Sequence, residues 1–308
     1  MIPLLILISV VAFTCSSFAT RLFQTRFPNA AARLPLFQAL YCLVSTLCFW
    51  CAGSFRLPTA ETALYGFFFG LLFCLAVAMS ARCYVLGSMA LTSVIVNMSL
   101  ILPILYSILL LSEPLTVLHV VGFLLFCGSV LFSALSGGKD NKKGSLLWLL
   151  LVLIGFAANG STAILQKSYV LYSEAKQDSV FLAVAYLTAS IAFMVMYLVK
   201  RIPKSARGTA EVACNTAAPP LLVKNSRVLT VVLFIAISCL AGVGSFGGNL
   251  LLGRLTSEVL AAILYPCING GLAVLTTLLS FFFFKEKVTV QKICSVLLGA
   301  AAIVVLNL

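Results

Sequence analysis

Long apolar segments, interrupted by short stretches that hold most of the charged residues, constrain this chain more than any other feature. Each segment is apolar on all sides rather than along one stripe, which is typical of helices that face lipid or lie inside a membrane bundle. Because hydrocarbon offers no partner to a free backbone N–H or C=O group, an α-helix is the conformation that satisfies such a segment. The sequence therefore predicts an all-α, polytopic membrane protein.

The composition agrees with this prediction and sets the number of crossings. Of the 308 residues, 62% are hydrophobic and 9% are charged, whereas about 25% are charged in soluble proteins. A crossing needs about 20 apolar residues, so the chain has room for ten crossings and short loops. We predict helices at residues 2–20, 35–53, 62–80, 83–111, 115–135, 145–170, 179–199, 228–252, 257–284 and 288–307.

The net charge of +12 lies in the predicted loops, which favours the lipid bilayer as partner over nucleic acid. With ten crossings, 16 of the 20 Lys and Arg residues fall in the loops that follow helices 1, 3, 5, 7 and 9. Since basic loops stay in the cytoplasm, we expect a multi-pass protein of the cell membrane with both termini outside the cytoplasm. The long basic loop 200–227 is interpreted as a solvated linker, with a regulatory or lipid-headgroup role as the alternative.

One short motif occurs twice, at equivalent places in the two halves of the chain. Residues 112–116 (SEPLT) begin predicted helix 5, and residues 285–289 (KEKVT) begin predicted helix 10. Counted from the Glu of each copy, a Thr follows at plus three, and small residues follow at plus nine and plus fifteen. The chain therefore divides into two repeats of five helices, residues 1–138 and 139–308.

The odd number of helices in each repeat determines how the halves are related. The second half must enter the membrane from the opposite side, which predicts an inverted-topology repeat about an axis in the membrane plane. This architecture is typical of secondary transporters, whose substrate site lies near the midplane between the halves.

The repeated motif resembles the EamA domain of the drug/metabolite transporter superfamily, here present twice and covering essentially the whole chain. Residues 155–160 (GFAANG) of helix 6 and residues 265–271 (YPCINGG) of helix 9 are also similar to that family. The resemblance implies ten helices and a transport function. Ser295 and Ala301 stand where the family pattern has glycine, and family exporters usually keep their termini in the cytoplasm, contrary to the charge distribution.

Polar side chains inside the apolar segments are the candidates for a binding site, because hydrocarbon tolerates them only when they are paired or face a cavity. No Asp or Glu lies at the centre of a predicted helix. The small multidrug-resistance branch of the superfamily that the chain resembles relies on a glutamate inside its first helix, so the resemblance disfavours proton-coupled export of cationic drugs by that mechanism. Amides and hydroxyls suit a neutral or zwitterionic molecule better than a permanent cation. For each Asn, an interhelical hydrogen bond is an equally good explanation; for each Tyr, packing with the hydroxyl at a polar edge is favoured. The candidates are Asn97, Asn159, Asn269, Ser93, Tyr265, Asn249 and Tyr186.

Two further predictions concern the helix backbone. Proline and glycine weaken a helix where movement is needed, which predicts hinges at Pro103, Pro266, Gly270 and Gly271. A carboxylate is stabilised at the positive end of a helix, so Glu113 and Glu286 are predicted to cap helices 5 and 10.

Other motifs predict packing rather than chemistry. The GxxxG pairs Gly66 with Gly70 and Gly244 with Gly248 are expected to let helices approach closely. A GxGxxG match at residues 242–247 lies in a predicted membrane helix, so no dinucleotide is expected. The 11 cysteines are scattered and the chain has one His, which favours reduced thiols, no metal and no cofactor.

Three functions were weighed against these features. A secondary transporter of a small polar metabolite is favoured, because the inverted repeat is typical of such proteins. A membrane enzyme acting on lipid-linked substrates would need convergent acids, histidines or a metal, and no catalytic residue is predicted. A non-transporting scaffold or accessory subunit is the main alternative, and monomer and homodimer both stay open.

Overall fold

Helices account for almost all of the chain that the computed structural model describes, residues 2–27, 30–86, 89–114, 116–135, 146–201, 227–284 and 290–306. No strand occurs in these ranges. The helices are α1 (Ile2–Arg26), α2 (Ala30–Ala52), α3 (Ala60–Leu86), α4 (Met89–Met98), α5 (Ile101–Leu110), α6 (Val117–Leu135), α7 (Leu146–Tyr172), α8 (Asp178–Arg201), α9 (Arg227–Glu258), α10 (Ala261–Phe284) and α11 (Val290–Leu306).

Seven of these helices, α1, α2, α3, α7, α8, α9 and α10, are long and apolar enough to cross a membrane. Three shorter apolar stretches lie at Val94–Leu110, Val117–Phe132 and Ile293–Val305. This is the architecture of an all-helical, multi-pass membrane protein, and it confirms the predicted fold class at that level.

Apolar side chains cover the outside of the bundle in helical register. On α1 and on α3, the exposed positions follow the spacing i, i+3, i+4, i+7, which marks a single helix face. A continuous apolar surface of this kind would be unfavourable in water and is suited to lipid. The exposed residues on these two faces are Leu4, Leu7, Ile8 and Val11, and Leu64, Phe67, Phe68 and Leu71.

Predicted helix 4 is two helices, α4 and α5, with a break at Ser99 and Leu100. Pro103 has no N–H to donate to the Ser99 carbonyl four residues earlier, and that carbonyl accepts instead from the Leu102 N–H at 3.0 Å. The helix therefore breaks at the place where Pro103 was predicted to weaken it, and the single helix predicted for residues 83–111 is corrected. The preceding helix, α3, also extends to Leu86 rather than ending near residue 80.

The close helix contacts join the first part of the chain to the second. The helix pairs α1 with α9, α2 with α8, α3 with α7, and α6 with α11 pack against each other. The α3–α7 pair is antiparallel, because the Thr62 hydroxyl lies 2.9 Å from the Tyr169 hydroxyl and the Cys83 thiol lies 3.9 Å from the Trp148 carbonyl oxygen. The α6–α11 pair is held by reciprocal bonds between hydroxyls and carbonyls of Ser129 and Ser295.

Glycines allow several of these close contacts, as the GxxxG pairs predicted. A Cβ atom on Gly66 of α3 would lie 2.9 Å from the Phe181 carbonyl oxygen of α8, and one on Gly244 of α9 would lie 2.7 Å from the Ala12 carbonyl oxygen of α1. Gly242 meets α2 in the same way, at 2.8 Å from the Tyr41 carbonyl oxygen. Helix α9 is therefore packed closely against both α1 and α2.

Two ends of the bundle matter for the site. The α1–α2 end is where α1 ends at Arg26 and α2 begins at Ala30. The α2–α3 end is where α2 ends at Ala52 and α3 begins at Ala60. At the α2–α3 end, the Gln177 side chain joins the turn before α8 to the turn before α3, because its oxygen accepts from the Thr59 N–H at 3.2 Å.

Candidate functional site

A partly open cavity of about 400 Å³ lies between α1, α2 and α3. It lies toward the α1–α2 end, since most of its lining comes from the C-terminal half of α1 and the N-terminal half of α2. Five of the eight lining residues come from α1, where the spacing of residues 17, 21 and 24 places them on one helix face. The lining residues are Ser16, Ser17, Thr20, Arg21, Gln24, Gln38, Tyr41 and Val77.

Arg21 is the charged member of this lining, and sequence reasoning assigned it to a loop. The first helix was predicted to end at residue 20 because an arginine interrupts the apolar run. In the structure α1 continues to Arg26, so Arg21 is a half-buried helical residue. The polar residues spaced at i, i+4 and i+7 beyond Ser17 were the signal that the helix continues.

Gln38 and Tyr41 face this cavity from α2 and are buried. Gln38 is 9% exposed, and its side-chain oxygen has no hydrogen-bond partner among the described residues. A buried acceptor without a partner costs about 1–3 kcal/mol, so such atoms are rare and call for an explanation. Neither residue was predicted, because both lie close to the start of α2.

Behind the cavity, Tyr186 and Asn249 form a buried polar cluster together with Ser245. The Asn249 amide donates to the Tyr186 hydroxyl at 2.9 Å, and the Tyr186 and Ser245 hydroxyls are 2.7 Å apart. The Tyr186 ring lies 6.5 Å from the ring of Tyr41, which links the cluster to the cavity lining. Two predicted candidates from different helices, α8 and α9, are therefore brought together.

The cluster connects to α7 through Gln166, whose side-chain amide donates to the Asn249 carbonyl oxygen at 3.4 Å. The next residue, Lys167, is 1% exposed and forms an ion pair with Glu113. The other Glu113 carboxylate oxygen accepts a hydrogen bond at 2.9 Å from the backbone N–H of Ala261, which is the first residue of α10. Sequence reasoning assigned Glu113 to a helix cap and gave Lys167 no role, and it did not pair them because they lie far apart in the chain.

The turn after α5 positions Glu113. Ser112 has a positive φ of 53°, and the Glu113 N–H bonds back to the Ser107 carbonyl at 3.1 Å. A residue with a positive φ, followed by a backbone N–H that bonds back to the last turn of the helix, ends the helix and turns the chain sharply. The Glu113 side chain is thereby directed toward α7 and α10.

This geometry corrects the predicted cap. At the start of α6, the Thr116 hydroxyl accepts from the His119 N–H at 3.4 Å, while the His119 ring accepts from the Thr116 N–H at 3.3 Å. These reciprocal bonds have the form of a capping box, so α6 does not need Glu113. Glu113 caps α10 instead. Glu286 lies outside the described residues.

Four consecutive residues of α7 make polar contacts with other helices near the α2–α3 end. Besides Gln166 and Lys167, the Ser168 hydroxyl lies 2.7 Å from the Tyr106 hydroxyl of α5, and Tyr169 is bonded to Thr62 of α3. We call the three pairs Glu113–Lys167, Tyr106–Ser168 and Thr62–Tyr169 the seal. Along α3, the 15 residues from Thr62 to Val77 span about 22 Å, so the seal and the cavity lie far apart along the helix axis.

The remaining candidates lie away from the cavity lining. The Asn159 amide donates to the Ser99 hydroxyl at 2.7 Å, at the break between α4 and α5. This is the interhelical bond that was the alternative to substrate contact. Asn97 is half buried in α4, and Ser93 lies in the same helix, with its side chain outside the described part.

The Asn269 amide bonds the Tyr265 carbonyl within α10 at 2.9 Å, and the Tyr265 hydroxyl donates to the Ala163 carbonyl of α7 at 3.3 Å. Helix α10 runs unbroken through Pro266, Gly270 and Gly271, where hinges were predicted. Pro266 removes one backbone donor near the N-terminal end of the helix, and the two glycines fit against neighbouring helices. A Cβ on Gly271 would lie 3.0 Å from the Val10 side chain of α1.

Among the described residues, no group of three His, Cys, Asp or Glu side chains is arranged to hold a metal ion. The ten cysteines within them are free thiols, including both members of the Cys48–Cys51 pair.

Comparisons with known proteins address the fold. No family model and no curated protein matches the sequence. Among solved structures, 28 chains match. One of them, described only as "Crystal structure of protein", has a TM-score of 0.68 at 14% sequence identity, covering 100% of this chain and 98% of the other. This similarity extends over the whole length of both chains and shows that the overall helical fold also occurs in a solved structure.

Proposed function

We propose that the protein is a secondary transporter that moves a small polar metabolite across the membrane by alternating access. The observation that carries this proposal is the difference between the two ends of the bundle. A partly open polar cavity lies near the α1–α2 end, while three polar pairs join helices near the α2–α3 end. A carrier in one of its two states has this form, because only one side of the substrate site is accessible at a time.

The helix contacts support the two inverted halves on which this mechanism depends. With halves 1–138 and 139–308, α1, α2 and α3 correspond to α7, α8 and α9, and α6 corresponds to α11. The contacts α1–α9 and α3–α7 exchange under this correspondence, as do α2–α9 and α3–α8, while α2–α8 and α6–α11 map onto themselves. A two-fold axis between the halves would produce this pattern.

The directions of the helices support inversion as well. Helix α7, the first of the second half, is antiparallel to α3. If α1, α2 and α3 cross in alternating directions, α7 runs opposite to α1. We therefore propose ten crossings in two inverted five-helix halves, with α4 and α5 together forming the fourth crossing and an architecture of the EamA type.

The orientation follows from the charges. The α1–α2 end is the side on which 16 of the 20 Lys and Arg residues were predicted. Because basic loops stay in the cytoplasm, we propose that the cavity is open toward the cytoplasm and that the seal lies on the opposite side.

The test is solute counterflow in liposomes that contain the purified full-length protein. Labelled amino acids, sugars, nucleosides, organic anions and lipophilic cations are offered in turn. We expect exchange of one class, its loss in Ser17→Trp, which fills the cavity, and its retention in Leu7→Trp, which places the same side chain at a position 56% exposed toward lipid. Folded protein that exchanges none of these classes would favour a non-transporting scaffold instead.

A further inference from the structure

Glu113 connects the two proposed halves of the molecule near the α2–α3 end. It lies in the turn after α5, in the first half, and one of its carboxylate oxygens pairs with Lys167 of α7. The other oxygen accepts from the Ala261 N–H at the start of α10. Because α7 and α10 both belong to the second half, a single carboxylate bonds two helices of the opposite half at once.

Both bonds depend on the negative charge of this carboxylate. The Lys167 side chain is 1% exposed, so its ammonium group is removed from water and depends on a counter-charge. The Ala261 N–H lies at the N-terminal end of α10, where the helix dipole is positive and favours an anion. A proton on Glu113 would therefore weaken both interactions together.

The helix that ends beside Glu113 packs mainly against the second half. Among the described residues, the main partners of α5 are α7 and α10, and a break at Ser99 and Leu100 separates α5 from α4. The Tyr106–Ser168 pair is the other polar contact that holds α5 to α7. Release of Glu113 therefore removes two of the three polar bonds that hold this end of α5 and the following turn to the second half.

The other ionisable groups around Glu113 do not combine these properties. Lys167 of α7 is a cation already and does not change its charge on acidification. Tyr265 of α10 interacts with Glu113 electrostatically, but its hydroxyl is bonded to α7 and a phenol is neutral at physiological pH. His119 of α6 has its Nδ1 atom bonded to the Thr116 N–H. Among these groups, the Glu113 carboxyl is the one whose protonation removes bonds between the halves.

We propose that Glu113 is a pH-sensitive latch, whose charged carboxylate holds the seal closed and whose protonation releases it. The Glu113 side chain is 16% exposed, so a proton can reach it while the helices are in contact. Since bound protons and the closed contacts compete for the same carboxylate, the seal is held at neutral pH and weakens as the pH falls.

The position of the latch gives the proton a regulatory role. Glu113 lies near the α2–α3 end, so a proton that binds from that side on opening returns to the same side on closing. The proton controls opening and is not carried across the membrane. The inference rests on the proposed transport function and names a regulator of its seal.

The test measures whether acidification opens the seal of the full-length protein in liposomes. The reporter is Ala163→Cys in a variant without the native cysteines. Ala163 lies one helical turn from Lys167 on the same face of α7 and contacts Tyr265 of α10, so a charged thiol reagent reaches it when the helices separate. Each labelling rate is divided by that of Ser257→Cys, an exposed position near the same end, which corrects for the pH dependence of the thiol.

Acidification from about pH 8 to about pH 5, where carboxyl groups begin to bind protons, should raise the corrected labelling rate several-fold. A single proton limits the rise to about tenfold per pH unit. Glu113→Gln imitates the protonated carboxyl and should label rapidly at both pH values. Glu258→Gln, the same change at an exposed position close to the start of α10, and His119→Asn should respond to pH as the wild type does.

A second variant keeps the test valid if Glu113→Gln does not fold. Glu113→Gln combined with Lys167→Gln leaves no buried charge without a partner, and its labelling should also be independent of pH. Wild-type labelling that does not respond to pH, or an equal response in the wild type and in either of these variants, would overturn the inference. Loss of the response in His119→Asn would overturn it as well.

Counterflow with the same proteins separates this inference from the proposed function. Counterflow in protein whose labelling is independent of pH would overturn the latch and leave the transporter standing. Labelling that depends on pH through Glu113, in folded protein that exchanges no solute, would overturn the transporter and leave the latch standing.

Discussion

Some polar contacts of this protein could be predicted from the sequence, and others could not. Tyr186 and Asn249 were predicted because a hydroxyl or an amide inside an apolar run needs a partner, and the structure places them 2.9 Å apart. Arg21 was missed because a charge at the end of an apolar run has the same local pattern in a loop and in a helix. The Glu113–Lys167 pair was missed because no local pattern connects residues on different helices.

The buried ion pair of the seal predicts a large loss of stability when one partner is removed. Lys167→Ala leaves the Glu113 carboxylate without its counter-charge, and we expect the free energy of unfolding to fall by about 3–5 kcal/mol. Chemical unfolding in detergent micelles measures this loss. The control is Lys176→Ala, at an exposed position near the same end. We expect it to change the free energy of unfolding by less than about 0.5 kcal/mol. Equal effects of the two variants would contradict the pairing.

The hydroxyl of Tyr186 predicts a second, smaller effect. Tyr186→Phe removes the acceptor of the Asn249 amide and the partner of the Ser245 hydroxyl while keeping the ring. We expect a loss of about 1–3 kcal/mol, because buried polar groups are left without a partner. Tyr172→Phe, at an exposed position, serves as the control in the same unfolding assay. A Tyr186→Phe protein as stable as the wild type would show that this cluster is not formed.

At the scale of elements, the sequence was informative about which segments are helical and less informative about their continuity. Apolar runs of about 20 residues predict helices because nothing else satisfies the backbone in lipid. Continuity depends on packing. Pro103 coincides with the break at Ser99, whose buried hydroxyl accepts a hydrogen bond from the Asn159 amide of α7, whereas α10 continues through Pro266. Whether a proline interrupts a helix depends on the neighbouring helices, and these cannot be identified from the sequence.

The space around two glycines, one in α9 and one in α10, predicts opposite outcomes for their replacement by alanine. A Cβ on Gly242 would lie 2.7 Å from the Val44 Cβ and 2.8 Å from the Tyr41 carbonyl oxygen, neither of which can move aside cheaply. Gly242→Ala should therefore lower the free energy of unfolding by about 1–3 kcal/mol. A Cβ on Gly270 in α10 would meet no atom closer than 3.7 Å. Gly270→Ala should therefore leave the free energy of unfolding unchanged or raise it by up to about 1 kcal/mol. Unfolding in detergent distinguishes them, and a reversed order would contradict this packing.

At the scale of the whole molecule, the repeated motif predicted two related halves, and the exchange of helix contacts between them is the pattern that a two-fold relation would produce. The motif did not predict the difference between the two ends of the bundle. A perfectly symmetric molecule could not have a cavity at one end and a seal at the other. In the proposed mechanism this asymmetry belongs to one conformational state, and alternating access predicts a second state in which the ends exchange roles.

The most direct test of alternating access is to hold the seal closed. Tyr106→Cys and Ser168→Cys, in a variant without the native cysteines, are joined by a short thiol-reactive crosslinker that contains a cleavable disulfide. This leaves the Glu113–Lys167 pair intact and fixes α5 to α7 at the α2–α3 end. We predict that crosslinking stops solute counterflow in liposomes and that reductive cleavage restores it. Counterflow at an unchanged rate in fully crosslinked protein would contradict the account.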